Sequence, residues 1–425
     1  MINTIWYNRP QIENNTSMNL LSLLTLRYDP LDTYVPTLRL KDVSVSDMLR
    51  SYDHKYEFSD QVLENKIRSA IRRELKTDTQ DKVCIALSAG VDSNLILYLL
   101  HEECPKLDIE CINVSFDDTN EAYEAKKIAE QVGAGIQQLY VENFLLDLPK
   151  MINIVKQPRW NIYQYYFIKK SKSISDRLLT GDGGDEVFAG YTFRYNKFMK
   201  NYHEGATCLQ RVQNYLSCHD RDWVPDQEEM FNSKAGFSWS SIYSIVAPYF
   251  DNSLPPLDQV LIADYNGKLI HDFIPTNDKY YRYFKVRGFS PLLDNDVIDL
   301  AFRMPSTMKY DLKTNVGKQP LRRILRIYAP VFETKRNLKV GYGMDLIKLW
   351  NAHGREMVYF YLDKGRIFEN NLVNKNWYFR SLKRIEENNT GTLALRYISK
   401  MLQLLSLEVY YRIFVTAEMN PEHSL

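Results

Sequence analysis

Two short stretches combine residue types that packing alone would not select. The first is Ser88-Ala89-Gly90-Val91-Asp92-Ser93, set between the apolar runs 83–87 and 95–100. Small residues let backbone N–H groups approach an anion, and a helix N-terminus immediately after them adds partial positive charge. Ser88 and Ser93 bring hydroxyl donors, and Asp92 brings a carboxylate able to hold a magnesium ion against phosphate. The second stretch is Thr180-Gly181-Asp182-Gly183-Gly184-Asp185-Glu186, with three glycines and three carboxylates in seven residues. Such a loop suits a tight turn that holds a metal and lets a nucleotide come close. Each stretch alone has a plainer reading. The first could be a strand-to-helix turn capped by Ser and Asp; the second could be an acidic turn or a calcium loop, although DxDxDG spacing is absent. No GxxxxGK[ST] occurs, so the usual nucleoside-triphosphatase loop is excluded.

These loops need elements to hold them. Residues 83–87, 108–116 and 136–141 read as strands, and DRLLTG ends a further one just before the second loop. Helical patterns lie between them: a segment after the first loop through Leu100, residues 121–134 closed by glycine, and a stretch around NIYQYYFIKKSKS. Upstream, FSDQVLENKIRSAIRREL places Val62, Ile67, Ala70 and Ile71 on one helical face, with Ser59 or Asp60 as N-cap. Strands alternating with helices predict an α/β fold with a doubly wound parallel sheet, and ligands in such sheets sit beyond the carboxyl ends of strands. Both loops fall at such ends. Beyond Tyr191 the pattern turns helical and aromatic. The expected organisation is an N-terminal extension over 1–57, a nucleotide-binding domain over 58–200, and a mainly helical part over 201–425.

Composition narrows the classes further. The 425 residues carry 54 basic and 53 acidic side chains, so the global charge points to neither nucleic acid nor membrane. Five scattered cysteines (Cys84, Cys104, Cys111, Cys208, Cys218) form no CxxC or Cys/His cluster, which fits reduced thiols in a cytoplasmic protein. No signal peptide or membrane span is read from the sequence.

The two loops together resemble those of the pyrophosphatase-loop (PP-loop) enzymes, and more closely the synthetase domain of the asparagine synthetase family. TGDGGDEVFAGY is similar to that family's Ser-Gly-[Glu/Asp]-Gly-x-Asp-Glu-[Leu/Val]-Phe-x-Gly-Tyr, and SAGVDS to its Ser-Gly-Gly-x-Asp-Ser. Further similar segments follow in family order: VSFDDTNEAYEAKKIA, NDKYYRYFKVRGFSPLLDNDVIDLAFRMP, GKQPLRRILR, KVGYGMDLIKLW and LLSLEVYYR. The resemblance implies an adenine nucleotide alpha hydrolase-like sheet and an ATP- and Mg2+-dependent activation of a carboxylate. An acyl-adenylate forms, pyrophosphate leaves, and ammonia or another amine gives the amide. It also implies roles by position. Ser88, Ala89, Gly90, Asp92 and Ser93 would hold pyrophosphate; Asp92 and Asp185 would be magnesium ligands; Leu87, Val114 and Gly181 would border adenosine. Lys339 falls on the family's catalytic lysine, and could otherwise be a solvated lysine in a Gly-rich loop. Asp182 takes the place of an active-site glutamate, as a base toward the amine or as a turn-former.

Three departures bear on function. Glutamine-hydrolysing members begin with a cysteine after Met1, on a large N-terminal domain; here residue 2 is Ile and about 57 residues precede the similar region, so a glutaminase is expected to be absent or supplied by a separate subunit. The first loop glycine is Ala89, which would be strained by about 1 kcal/mol if its φ were positive. Asp278-Lys279 matches the family's Asp-Arg, but Arg287 and Phe289 stand where it has glutamate and arginine. If they face the substrate, the acid activated need not be aspartate; if they belong to the framework, the change is structural. The leading expectation is an amide-forming ligase with aspartate and ammonia as default substrates. The competing ones are a lactam, isopeptide or other amide synthetase, an RNA-modifying PP-loop enzyme, and a non-catalytic scaffold. The Tyr-rich N-terminal residues could form a lid or a homodimer contact.

Overall fold

The structure is a computed structural model that describes residues 15–53, 58–75, 81–116, 120–330, 344–370, 372–388 and 390–425. Its centre is the run KVCIA, strand β1 (Lys82–Ala86), whose side chains alternate between two cores. Val83 and Ile85 enter one apolar cluster, while Cys84 enters the other on the opposite face. Burial on both faces is what a parallel strand requires, since helices must cover both sides of the sheet. β2 (Asp108–Ser115), β3 (Gly135–Tyr140), β4 (Arg177–Leu179) and β5 (Arg287–Phe289) complete a five-stranded sheet of order β3-β2-β1-β4-β5. Every pairing is parallel, with Ile85 opposite Cys111 on one side and Leu179 on the other. The chain first builds outward from β1 through β2 to β3, then returns to add β4 and β5 beyond β1. The order therefore reverses between β1 and β4, and a crevice opens there at the carboxyl ends. This is the doubly wound α/β architecture the alternating pattern predicts.

The helix Asp60–Glu74 starts where Ser59 accepts a hydrogen bond from the Val62 N–H at 3.1 Å. Its buried stripe is Leu63, Ile67, Ala70 and Ile71; Val62 is 43% exposed and does not belong to it. One residue is about 100° of helix, which turns position 62 off the face that 63 and 67 share. β5 was not among the expected strands. Three residues with a central glycine are too short to show a period of two, and the pairing Arg177↔Arg287 through Leu179↔Phe289 is supplied by β4.

Beyond β4 the described chain is mainly helical. One long helix runs from Pro256 to Phe284 and widens to π geometry over Asp264–Phe273. Two buried acids lie on the widened part: Asp264 pairs with Arg194 at 2.8 Å and Asp272 pairs with Arg159. The described N-terminal residues are woven into this body. Leu21 and Leu24 lie in one core cluster, Leu26, Tyr28 and Met48 in the other. Tyr34 Oη and the Thr37 N–H both donate to Asp278, which also pairs with Arg282 at 2.8 Å. Among the described residues no helix is long and apolar enough to cross a membrane.

Candidate functional site

The loop after β1 is held by its own hydroxyls. Ser93 Oγ accepts from the Ser88 N–H at 3.1 Å and lies 3.1 Å from Ser88 Oγ, which in turn accepts from the Gly90 N–H at 3.1 Å. Asn94, buried in the first turn of the helix Val91–Glu103, donates to the Ser88 carbonyl at 3.1 Å. The loop is thus shaped by its own hydroxyls and the Asn94 amide, with Gly90 exposed at its tip and heading the helix. Ala89 is absent from the residues of positive φ, so alanine in place of the usual glycine is unstrained.

The second loop closes onto the first. A Cβ added to Gly184 would lie 2.3 Å from the Asp92 carboxyl carbon, and one added to Gly190 would lie 1.8 Å from Asp185 Oδ1. Only glycine permits either approach, so the spacing of glycines in GDGGDEVFAG is the imprint of two carboxylates packed against backbone. Asp182 Oδ2 accepts from Thr180 Oγ1 and from Asn277 Nδ2, both at 2.8 Å, and its carbonyl accepts from Ser290 Oγ at 2.7 Å. Burial raises the Asp182 carboxyl, those two hydrogen bonds oppose the rise, and the neighbouring Asp92 adds to it. Glu186 is buried under Tyr191, whose hydroxyl donates to it; burial and the adjacent Asp185 push its carboxyl up to about 7.

Between the two loops stands a residue to which the sequence reading gave no role, although it lies in the family-similar segment GKQPLRRILR. Lys318 Nζ bonds Asp92 Oδ2 and lies 2.7 Å from Asp185 Oδ1, with the lysine only 7% exposed. Burial works against its charge, yet Asp185 and Asp92 outweigh it and hold the ammonium above the ordinary lysine range. The signal was present in GKQP. Lys318 is the N-cap of the helix Gln319–Tyr328, a position where Ser, Thr, Asp or Asn would be expected.

The crevice thus brings together Ser88, Ala89, Gly90, Asp92, Ser93, Gly181, Asp182 and Asp185, with Thr180, Asn277 and Lys318 added. Leu87 and Val114 sit at the neighbouring ends of β1 and β2 but are 3% and 4% exposed, so they form a floor. Arg287 lies at the start of β5, away from the carboxyl ends, and faces Glu74 at 3.6 Å. Phe289 ends β5, and its carbonyl accepts from the Thr180 N–H at 3.0 Å. Lys339 lies outside the described residues. A separate cleft of about 110 Å³ opens at the ends of β2 and β3, lined by Phe116, Tyr140, Phe144, Leu349 and His353 among others.

The donor set can be tested against a metal. Among the described residues no group of three or more His, Cys, Asp or Glu forms a cage. Two carboxylates drawn to one cation are what remains. Such a pair suits magnesium, which keeps several waters and is commonly held by one or two carboxylates plus substrate phosphates.

The family model described as "Asparagine synthase" matches residues 62–409. The chain is 22% identical over 318 residues to the glutamine-hydrolyzing asparagine synthetase 1 of Bacillus subtilis (strain 168), covering 67% of this chain and 50% of that protein. It is 21% identical over 402 residues to putative glutamine-hydrolyzing asparagine synthetases of Mycobacterium bovis and Mycobacterium tuberculosis, covering 87% of this chain and 59% of theirs. It therefore spans about half the length of the curated relatives it matches. A U34-tRNA thiolase from Methanococcus maripaludis covers 70% of the chain at 15% identity and a TM-score of 0.23, too loose a match to inform the site. A model that covers most of the chain, joined to a crevice built from the glycine-rich loops of β1 and β4, shows that this chain belongs to the asparagine synthase family.

Proposed function

We propose that the chain is an ATP-dependent carbon–nitrogen ligase that forms AMP, with aspartate as the default carboxylate and ammonia as the default amine. In the first step a carboxylate oxygen attacks the α-phosphorus, the bond to the bridging oxygen of the β-phosphate breaks, and pyrophosphate leaves. In the second the amine nitrogen attacks the acyl carbon, the bond to AMP breaks, and the amine proton passes to a base. The observation that carries this reading is the meeting of Asp92 and Asp185 on one cation at the β1/β4 crevice.

The hydroxyls of Ser88 and Ser93, oriented by the Ser88 and Gly90 N–H groups that donate to them, are suited to hold the departing pyrophosphate beside the small residues Ala89 and Gly90. A magnesium ion would be held by Asp92 and Asp185 and would supply charge neutralisation to the phosphates. Asp182, oriented by Thr180 and Asn277, is the candidate base. Its raised carboxyl is closer to the range in which a carboxylate accepts a proton effectively near neutral pH. Lys339 is proposed to steady charge on the phosphates and the tetrahedral intermediate, a contribution worth about 2.7–4 kcal/mol for one such donor. Leu87, Val114 and Gly181 are proposed to border adenosine. The placement of Arg287 at the far end of β5 supports a framework role, so its substitution does not by itself argue away from aspartate.

The test is nucleotide analysis of the purified protein with ATP and Mg2+, comparing aspartate plus ammonium with a panel of other carboxylates. AMP, pyrophosphate and asparagine appearing only with aspartate is the expected result, with at least a hundredfold loss in Lys339→Ala. AMP with a different acid moves the substrate and keeps the chemistry. No AMP with any acid, in wild type and variant alike, overturns the ligase reading.

A further inference from the structure

Lys318 is expensive to place. Its backbone has φ 57°, and the facing Ala189 has φ 61°, a region that side-chain-bearing residues seldom adopt. Its N–H donates to the Phe188 carbonyl at 2.9 Å, which ties the turn to the end of the second loop. Gly190 leaves the space: a Cβ there would lie 2.3 Å from Lys318 Cε. A positive charge at a helix N-terminus opposes the helix dipole, so capping does not explain the residue. What the arrangement achieves is one ammonium set between a carboxylate from the β1 loop and one from the β4 loop.

We propose that Lys318 is a displaceable counter-cation, holding Asp92 and Asp185 as a closed pair in the nucleotide-free protein and yielding them to the divalent ion that arrives with the nucleotide. This rests on the reading of those two aspartates as metal ligands. An ammonium and a divalent ion cannot share the same gap between two carboxylates, because like charges at contact distance repel in a site shielded from water. The free protein therefore binds the metal poorly by itself. Nucleotide phosphates supply the extra negative charge that lets the metal enter, and they give the displaced ammonium a new partner.

The test compares wild type with Lys318→Met, both free of nucleotide, by Mn2+ titration followed by electron paramagnetic resonance. Lys318→Met is expected to bind one Mn2+ at least tenfold more tightly than wild type. Its melting temperature should rise with Mg2+ by several degrees while that of wild type stays put. Equal Mn2+ affinities, or equal responses to Mg2+, overturn the proposal. Should Lys318→Met fail to fold, Lys318→Arg decides. A guanidinium holds two carboxylates in a fixed fork and gives them up less readily. Affinity for Mg2+ with a non-hydrolysable ATP analogue should then fall at least tenfold, and an unchanged affinity overturns the proposal. Neither readout needs turnover. AMP formation by wild type alongside equal Mn2+ affinities would remove the role of Lys318 and leave the ligase reading standing. Absence of AMP alongside a tighter metal site in Lys318→Met would do the reverse.

Discussion

At the scale of residues, the site is a set of charges that burial would forbid if they were separate. Lys318 stands between Asp92 and Asp185, while Glu186 is buried next door with a hydroxyl donated from Tyr191 and a backbone N–H. Glu186 makes this testable through pH. Its carboxyl is raised from about 4.5 to about 7, first by burial and then by Asp185. A raised carboxyl means the folded state holds a proton that the unfolded chain has released. The resulting stability is fully present below about pH 4.5 and is lost as pH rises through about 7. Between those limits wild type should lose roughly 1–3 kcal/mol from this group. Glu186→Gln cannot lose a proton, and it still accepts from Tyr191. In urea unfolding without divalent ions at pH 5, 6, 7 and 7.5, the variant should gain steadily on wild type as pH rises. A difference between the two that stays constant across that range would show that Glu186 is already ionised at pH 5. The glycines and acids of both loops were readable because such residues make poor packing. The role of Lys318 was not, since a lysine in sequence is ordinarily a solvated one, and the similarity of GKQPLRRILR to the family does not say that this lysine is buried between two carboxylates.

At the scale of elements, β1, β2 and β4 were legible as apolar runs bounded by turn residues and β3 by its place after a helix closed with glycine, and the two unusual loops follow the carboxyl ends of β1 and β4 directly. What joins the helices was not legible, because it depends on contacts between distant parts of the chain. The end of the helix Asn15–Leu26 shows this. The last carbonyls of a helix have no partner within it. Here they are met by side chains from elsewhere: Gln403 Nε2 donates to the Leu23 carbonyl at 2.9 Å, and Lys400 Nζ donates to that of Leu24. The same ammonium donates to the Asp222 carbonyl at 2.8 Å and to Gln403 Oε1 at 2.7 Å, so all three of its hydrogens are used. Burial and the nearby Arg27 pull Lys400 down to about 7, while the Asp222 carboxylate favours its charged form. Lys400→Met keeps the bulk but removes the ammonium from the buried Asp222 carbonyl and leaves that of Leu24 with Gln227 Nε2 at 3.3 Å. It should lower the free energy of unfolding by roughly 2–4 kcal/mol. The drop would be read from the urea midpoint, with AMP formation by the folded fraction unchanged. A loss under 0.5 kcal/mol, on the order expected of a surface change, would mean that water replaces the ammonium.

At the scale of the whole molecule, the strands all run parallel and the winding order reverses between β1 and β4, and the two chemically unusual loops flank that reversal. A sheet of this order needs cover on both faces, and part of the cover comes from the first 57 residues. That contribution could not be read from a polar, Tyr-rich segment whose apolar residues show no clear period. Leu21, Leu24, Leu26, Tyr28 and Met48 are each 6% exposed or less, and they are divided between the two cores. Tyr34 and Thr37 supply two of the hydrogen bonds to Asp278, on the same helix that presents Asn277 to Asp182. Full burial of one large apolar side chain is worth about 1.5–3 kcal/mol. Five of them therefore rival the whole stability of an ordinary domain, about 5–15 kcal/mol. A chain beginning at residue 58 should consequently be insoluble, or lack a cooperative thermal transition, even though it retains both loops and the entire sheet. A soluble 58–425 fragment that melts cooperatively and still forms AMP would show the opposite. The N-terminal residues would then be a separable cover, and Asn277 would be held in place by the long helix alone.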